Sequence, residues 1–277
     1  MKKNTKPYRV LLYYKFVKLN DPDKFAELHL NFCKSLDIRV RILVAPEGIN
    51  GTVSGTVQQA DTYIAAMRMI PEFTDMEFKT DEADGHAFEK MFVRARDEIV
   101  TLQTEYEIDP NAETGKYLMP EEFLQAMSEK DIVIIDARND YEYDLGHFRN
   151  AIRPDVRTFK EFPSWVKRNK ELMAGRKVLT YCTGGIRCEK FTALLMKEGI
   201  GDVSQLKGGI INYSKDPATR GALFDGKCYV FDERISVDVN HAEGYNLVGK
   251  CYLCGKLHDR FVNCAQLSCH FQFICCE

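Results

Sequence analysis

The sequence predicts a multidomain protein that combines an N-terminal α+β domain, a central α/β domain with a parallel sheet and a small cysteine-rich C-terminal segment. Three observations predict this class. About one hundred residues at the start alternate in the order β-α-β-β-α-β. A buried strand, a glycine-bearing loop and a helix follow one another around Cys182. The chain of 277 residues is also longer than a single core usually supports.

Composition excludes several classes of protein. Hydrophobic residues make up 45% and charged residues 29%, as in an ordinary soluble globular protein. No run approaches the roughly 18 apolar residues of a membrane span, and the first residues lack the apolar stretch of a secretory signal. Ten cysteines in a chain of this size suit a reducing compartment better than a disulfide framework. We therefore expect a cytoplasmic protein without membrane contact.

The first domain, residues 1–101, is expected to be ferredoxin-like. The predicted elements are strands at 8–16, 39–45, 51–54 and 76–79, and helices at about 22–36 and 57–69. This order is that of the split βαβ fold. Residues 45–51 form a turn-rich link in which Asn50 and Gly51 suit either a hairpin turn or an anion site.

A basic stripe is predicted where the chain leaves this domain. Residues 85–101 are expected to form a strand, and Arg94 and Arg96 would share one of its faces because side chains two apart point the same way. They are candidate RNA contacts, and a charged, solvated strand edge is the alternative. A linker at 102–118 then precedes the second domain, residues 119–226.

Cys182 is the candidate nucleophile of the second domain. It follows the apolar strand 177–181 and opens a loop that ends in Arg187, just before a helix expected at 189–198. The loop residues between them are Thr183, Gly184, Gly185 and Ile186. Inward-facing amides, a helix N-terminus and a guanidinium lower the pKa of a thiol, which is about 8.5 when free. A buried, inert cysteine is the alternative interpretation.

Neighbouring polar residues are expected to support this loop. Asp136 closes the apolar strand 132–135, at the sheet edge where open α/β folds place their chemistry. We expect Asp136 and Arg138 to form an internal ion pair, and Glu142 and His147 to fix loops. Cys188 lies one residue beyond Arg187 and is either a resolving thiol or a helix-packing residue.

The C-terminal segment, residues 227–277, contains a candidate metal site. Cys251 and Cys254 have the spacing of a zinc-binding turn, and a second pair, Cys264 and Cys269, would complete a tetrahedral site. Other assignments of the remaining ligands use His258, His270 or Cys275, and unligated cysteines under a short tail are the alternative. Since the sequence stops at Glu277, either ligands follow it or the site is incomplete.

The central domain resembles the rhodanese family, whose members carry sulfur as a cysteine persulfide. The motifs that carry the resemblance are Asp136-Ala137-Arg138, Tyr141-Glu142-Tyr143, Gly146-His147-Phe148, Asn150-Ala151-Ile152 and the loop from Cys182 to Arg187. Only four residues separate this cysteine from the arginine, whereas cysteine phosphatases have five. The resemblance implies that Cys182 bears the persulfide and that Arg187 is its electrostatic partner.

The whole chain resembles the bacterial tRNA uridine hydroxylase family. The motifs are Ala45-Pro46-Glu47-Gly48-Ile49-Asn50-Gly51-Thr52, the stretch from Cys182 to Lys190, and Asn263-Cys264-Ala265. The resemblance implies oxygen-dependent 5-hydroxylation of the wobble uridine, position 34, with tRNA as partner and with molecular oxygen and an unidentified reductant as co-reactants.

The residues alone leave other functions open. The sequence contains no readable facial triad, dinucleotide fingerprint or flavin motif that would activate oxygen. A sulfurtransferase that passes persulfide sulfur to a thiol or to a tRNA-thiolating partner is one alternative. A non-catalytic RNA or protein adaptor is the other. Residues 138–226 carry 16 lysines and arginines against 11 acidic residues, so an anionic partner suits this domain.

Overall fold

The computed structural model, which describes residues 6–266, 268–269 and 271–276, divides between Thr101 and Leu102. The first unit is Met1–Thr101 and the second is Leu102–Glu277. Within the described part of the chain, no helix combines the length and apolar character needed to cross a membrane.

The first unit is the predicted split βαβ domain. Its elements are β1 (Tyr8–Phe16), α1 (Pro22–Ser35), β2 (Arg39–Ala45), β3 (Gly48–Thr56), α2 (Val57–Arg68), a 3-10 turn (Pro71–Phe73), β4 (Lys79–Ala83) and β5 (Phe92–Ala95). The strands form one sheet in the order β4-β1-β3-β2-β5, and β5 runs parallel to β2 while the other neighbours are antiparallel. The predicted fold class is therefore confirmed for this unit.

Alternating side chains divide this sheet into a core face and an open face. Leu11 and Tyr13 of β1 and Val40 and Ile42 of β2 are fully buried in the core that α1 and α2 share. Their neighbours along the strands point to the other side, where Leu12, Leu43 and Arg39 are half-buried, Arg41 is exposed, and Val10 is buried under Ala87 and Phe88. Local chemistry fixes the helix starts, since the Asp21 side chain caps α1 by accepting from the backbone N–H of Lys24 at 3.0 Å.

Three sequence predictions for this unit are corrected. Asn50 and Gly51 lie inside β3 and not in a turn, because β2 and β3 pair up to Ala45 and Gly48, which leaves only two residues for the hairpin loop. The fourth strand begins at Lys79, three residues later than predicted, where pairing with β1 begins. The strand expected over 85–101 is confined to β5.

The second unit contains a parallel sheet and two smaller antiparallel sheets. Its strands are β6 (Lys116–Leu118), β7 (Ile132–Asp136), β8 (Gly146–Phe148), β9 (Lys177–Tyr181), β10 (Val203–Leu206), β11 (Phe224–Tyr229), β12 (Ser236–Asp238), β13 (Phe261–Asn263) and β14 (Gln272–Ile274). Its helices are α3 (Pro120–Ala126), α4 (Asp140–Leu145), α5 (Phe162–Asn169), α6 (Ile186–Lys197) and α7 (Gly209–Lys215), with 3-10 turns at Phe159–Glu161 and Lys170–Leu172.

The parallel sheet has the order β6-β10-β9-β7, as the predicted α/β class requires. The antiparallel sheet β12-β11-β8 and the hairpin β13-β14 complete the unit. Residues Arg187 to Leu195 of α6 are all buried, so this helix is surrounded by protein on every side. The segment 102–118, treated above as a linker, contributes β6 to the parallel sheet.

Replacement of Gly48 tests whether β3 begins in a tight turn that only glycine fits. Its φ is +143°, and a Cβ at this position would lie 2.0 Å from the backbone oxygen of Lys15. We expect Gly48→Ala to lower the free energy of unfolding of the first unit by about 1 to 3 kcal/mol, measured by urea denaturation. Gly85→Ala is the matched control, because a Cβ at Gly85 meets no atom within 4 Å. Equal stability of the two variants would contradict this account of the hairpin.

Candidate active site

The ends of two neighbouring parallel strands position Cys182. β7 and β9 are paired along their length, with Asp136 beside Tyr181, and the backbone N–H of Ala137 donates to the oxygen of Tyr181 at 2.9 Å. Cys182 is the next residue after β9. The chain thus delivers the thiol to the carboxyl edge of the sheet, where open α/β folds place ligands.

The first turn of α7 holds the loop that follows. The backbone N–H groups of Ile210 and Ile211 donate to the carbonyls of Cys182 and Thr183 at 3.0 and 3.1 Å. In a trans peptide the C=O and the next N–H point in opposite directions, so the following loop amides point away from α7. Gly185 has a φ of +105° directly before α6, a conformation that favours glycine. These features give the loop its tight curvature.

Cys182 is fully buried, and donors converge on its sulfur. The backbone N–H of Gly185 donates to Sγ at 3.1 Å. Burial by itself raises the pKa of the Cys182 thiol. Hydrogen bonds from the Cys188 thiol and backbone and from Gly185, together with the charge of Arg187, outweigh burial and lower this pKa to about 6. The loop therefore stabilises a thiolate at neutral pH.

Cys188 has the opposite character. It lies in the first turn of α6 and is fully buried, and burial and its bond with Cys182 raise the pKa of its thiol well above the ordinary value. Cys188 thus keeps its proton and donates a hydrogen bond to the anionic sulfur. The structure brings the two thiols together, which both interpretations of Cys188 given above allow.

Arg187 is fixed by a buried carboxylate. Its Nη1 and Nη2 donate to the two Glu142 carboxylate oxygens at 2.5 and 2.8 Å, and Nη2 also contacts Thr183 Oγ1 at 3.2 Å. Glu142 in turn accepts from the backbone N–H of Asn139 at 3.1 Å, at the start of α4. This two-point ion pair fixes the guanidinium at the rim of the loop. Although burial lowers the pKa of Arg187, Glu142 raises it, so Arg187 stays charged.

Asp136 and Arg138 form a second buried ion pair. Arg138 Nη2 lies 2.6 Å from Asp136 Oδ2, and Nη2 also donates to the backbone oxygen of Gly146 at 2.6 Å. Both side chains are completely buried, so this pair ties the end of β7 to the start of β8. The structural role expected for Asp136 and Arg138 stays a prediction.

His147 lies in β8 and stacks on Tyr143. The ring centroids are 3.8 Å apart, and His147 Nδ1 lies 2.9 Å from the Tyr143 backbone oxygen. Burial lowers the pKa of His147, so the ring is neutral at neutral pH. These contacts are those of a residue that fixes a loop.

Two residues lie near the loop although no sequence pattern predicts that they do. Cys228 of β11 is a buried thiol 4.0 Å from both Thr183 Oγ1 and Arg138 Nη1, and burial raises its pKa to about 11. Phe231 places its ring centroid 5.7 Å from the guanidinium carbon of Arg187 and is 45% exposed. An exposed aromatic ring at the rim offers a flat apolar surface to a ligand. Both come from the segment after the rhodanese-like motifs, which no spacing rule connects to the loop.

The C-terminal segment brings three cysteines together. Ligand atoms of Cys251, Cys254 and Cys276 lie within 4.8 Å of one another, and Cys276 Sγ is 3.4 Å from Cys254 Sγ and 3.5 Å from Cys251 Sγ. A tight turn, in which the Gly255 N–H donates to the Cys251 oxygen at 2.8 Å, presents the first two thiols. Three thiols at this spacing could hold a metal ion.

This cluster differs from the predicted set of four. In the β13-β14 hairpin, Phe261 pairs with Ile274, so the chain that follows β14 returns to the end where β13 begins. The first cysteine pair lies at this end. Cys264 and Cys269 lie in the loop that joins the other ends of the two strands. His258 Nδ1 accepts from the Arg260 backbone N–H at 2.9 Å, and His270 falls outside the described residues.

The two candidate RNA contacts, Arg94 and Arg96, lie in the first unit. Arg94 is an exposed residue of β5. Arg96 follows the strand, and its guanidinium donates to the backbone oxygen of Ala95 at 3.3 Å.

The acidity of Cys182 is open to direct measurement. Because the folded pKa of Cys182 is about 6, its thiolate should be populated above that pH and lost below it. We expect the difference in thiolate ultraviolet absorbance between the protein and its Cys182→Ser variant to titrate near pH 6. A difference that appears only at the pH of an ordinary thiol, about 8.5, would show that the loop does not stabilise the anion.

Family models match the chain in three consecutive parts. Residues 8–99 match the UPF0176 acylphosphatase like domain, residues 119–216 match the rhodanese-like domain, and residues 225–277 match the rhodanase C-terminal family. These matches agree with the fold classes observed for the two units.

Curated relatives match the chain over almost its whole length. A protein from Bacillus licheniformis named tRNA uridine(34) hydroxylase is 62% identical, and the match covers 98% of this chain and 84% of the relative. Proteins of the same name from Bacillus velezensis and Bacillus mycoides are 56% and 58% identical, and the matches cover 98% and 99% of this chain and 84% and 85% of those proteins. With this identity over this length, the chain belongs to the tRNA uridine(34) hydroxylase family.

Proposed function

We propose that this protein hydroxylates C5 of the wobble uridine, position 34, of tRNA in an oxygen-dependent reaction, and that Cys182 is its reactive residue. A relative that carries the name of this activity is 62% identical to the chain over 98% of its length. The observation that carries the assignment of Cys182 is the convergence of N–H and S–H donors on its sulfur, with the charge of Arg187 acting from nearby.

The reaction inserts one oxygen atom into the C5–H bond of uracil. If O2 supplies that atom, the other oxygen leaves as water and a reductant must supply two electrons. The described residues offer a thiolate at the loop. We therefore assign to Cys182 a direct role on the uracil ring, as the thiolate or as the persulfide that rhodanese-type loops carry.

Other groups of the site have supporting roles in this proposal. Arg187 stabilises negative charge on the sulfur, and the buried Glu142 keeps its guanidinium in place. The protonated Cys188 donates a hydrogen bond to the same sulfur. If Cys182 is oxidised to a sulfenic acid, attack by Cys188 would form a disulfide between the two residues and release water. The exposed ring of Phe231, beside Arg187, offers a surface on which a pyrimidine can stack. With tRNA as substrate, the protein would act in the cytoplasm.

A sulfurtransferase is the second candidate, favoured by the match of residues 119–216 to the rhodanese-like domain. The same loop would then hold a Cys182 persulfide and release its sulfur to an acceptor thiol. A non-catalytic adaptor is disfavoured because the thiol, the loop and the arginine are all present and assembled.

We also propose that Cys251, Cys254 and Cys276 bind a structural zinc ion. Thiolates are the preferred ligands of structural zinc sites, and these three sulfurs lie within 4.8 Å of one another. The metal would link the turn at residues 251–254 to the end of β14. It would act on the fold of the C-terminal segment, with no role in the chemistry at Cys182.

The assignment of Cys182 is tested by replacing its thiol. Cys182→Ser removes the polarisable anion, and we expect 5-hydroxyuridine in tRNA to fall to the level of cells that lack the protein, measured by mass spectrometry of tRNA nucleosides. Cys33→Ala, which removes a buried thiol from the core of the first unit, should leave the modification in place.

Undiminished hydroxyuridine with Cys182→Ser would remove this residue from the mechanism. Efficient formation of thiocyanate from thiosulfate and cyanide, with tRNA hydroxylation unaffected by loss of the protein, would favour the sulfurtransferase.

The zinc site is tested by metal analysis. We expect the purified protein to contain stoichiometric zinc, and Cys251→Ser or Cys276→Ser to lose it and to lower the melting temperature because metal binding is coupled to folding. Cys264→Ser is the matched control, since Cys264 lies in the β13-β14 loop. Loss of zinc with Cys264→Ser and retention with Cys276→Ser would favour the ligand set predicted from sequence.

A further inference from the structure

The open face of the first sheet arranges its side chains in rows across the strands. In the longest row Lys79 pairs with Leu12, Leu12 with Thr52, Thr52 with Arg41, and Arg41 with Phe92. These side chains point to the same side because directly paired residues share a face of a sheet. The row therefore carries a positive charge near one edge, a flat ring at the other, and a second charge between them.

A second row lies one step further along the strands. Tyr14 pairs with Asn50, Asn50 with Leu43, and Leu43 with Arg94. Side chains two apart in a strand lie on the same face, so this row extends the first one. Arg94 is exposed, and Tyr14 and Leu43 are half-buried.

Cations and aromatic rings are paired on this face. The guanidinium carbon of Arg94 lies 4.2 Å from the ring centroid of Phe92, and Lys79 Nζ lies 5.2 Å from that of Tyr14. Arg41 is 5.5 Å from the ring of Phe88. These distances are those of cation–π pairs, in which the positive charge is attracted to the face of the ring.

Neighbouring segments close the two ends of this face and leave its middle accessible. The backbone N–H of Ala87 donates to Ser54 Oγ at 2.7 Å at one end. At the other end Asn50 donates to the backbone oxygen of Ile99 at 3.1 Å. Between them Arg41 and Arg94 are exposed.

The strand residues of the open face carry a net positive charge. By strand alternation its acidic strand residue is Asp81, which pairs with Val10. Its basic strand residues are Arg39, Arg41, Lys79 and Arg94. A polyanion is thus the partner that this face fits by charge, and the paired rings specify a polyanion that also presents flat groups.

We propose that this open face binds the unpaired nucleotides of the tRNA substrate, with bases stacked on Phe92 and Tyr14 and phosphates held by Arg94, Arg41 and Lys79. Single-stranded RNA exposes both the bases and the backbone, whereas a duplex hides its bases, so a sheet with rings on its surface selects loops. This inference rests on tRNA being the substrate, as proposed above, and assigns the binding surface to a unit separate from the thiolate loop.

Binding of an anticodon stem–loop RNA with uridine at the wobble position tests the proposal with the full-length protein. By fluorescence anisotropy at several salt concentrations, Phe92→Leu should weaken binding about tenfold and leave the salt dependence unchanged, because it removes stacking but no charge. Arg94→Gln should weaken binding and reduce the slope of log K against log salt by about 0.7, the value for one lost contact with single-stranded phosphate.

A second cation–aromatic pair in the same unit supplies the matched control. Arg68 at the end of α2 is exposed, and its guanidinium carbon lies 5.9 Å from the ring of Phe78, which packs against the core on the helical side of the sheet. Arg68→Gln removes the same charge and the same kind of contact outside the open face. It should leave both RNA affinity and tRNA hydroxylation at the level of the parent protein.

Binding measured without turnover separates this proposal from that for Cys182. Cys182→Ser should bind the stem–loop as tightly as the parent, and the Phe92 and Arg94 variants should raise the RNA concentration needed for half-maximal hydroxylation. Parent-like affinity of both sheet variants would overturn the RNA surface and leave the role of Cys182 standing. Hydroxylation by Cys182→Ser would overturn that role and leave the RNA surface standing.

Two further outcomes would also overturn the RNA surface. Equal competition by a fully duplex RNA would show that the face senses only charge. A change of oligomeric state with Phe92→Leu in sedimentation would show that the face joins two copies of the chain.

Discussion

The site depends on keeping a negative charge on a sulfur atom that solvent does not reach. Burial alone favours the neutral thiol of Cys182, so the anion persists only because N–H and S–H donors and the charge of Arg187 outweigh the loss of hydration. These groups are in place before any substrate arrives, because α7 and α6 hold the loop between them. In the proposed mechanism, the reactivity of Cys182 thus follows from a loop whose shape is fixed by its neighbours.

Two buried arginines surround this loop, and each is neutralised by its own carboxylate. Glu142 holds Arg187 at two points, and Asp136 holds Arg138. A buried arginine without its carboxylate would be costly, and removal of one member of such a pair typically destabilises a protein by about 3 to 5 kcal/mol. The two ion pairs therefore stabilise the fold. Arg187 also favours the thiolate of Cys182, although it is paired with Glu142. Because each buried arginine needs its own carboxylate, charged residues lie near the sulfur without contacting it.

In the proposed mechanism the two units have different tasks. In these proposals the second unit supplies the reactive Cys182 in an enclosed loop. The first unit supplies a broad sheet face with rings and cations and has no comparable nucleophile, since its one cysteine, Cys33, is buried in the core, where burial raises its pKa to about 12. In the proposals made here, affinity for RNA and reactivity toward the base are properties of different surfaces of one chain.

Local patterns in the sequence determined most of the fold and the centre of the site. Apolar alternation gave β1 and β2 with their observed bounds, and the strand, glycine pair and arginine around Cys182 identified the loop. Both depend on residues close together in the chain, where spacing translates directly into geometry. The tertiary structure decided what depends on distant residues. Pairing of β2 with β3 moved Asn50 and Gly51 out of a turn, and the β13-β14 hairpin placed Cys276, and not Cys264 or Cys269, beside the first cysteine pair. Phe231 reached Arg187 in the same way, because a contact across 44 residues of chain is set by strand order and packing, which no short motif records.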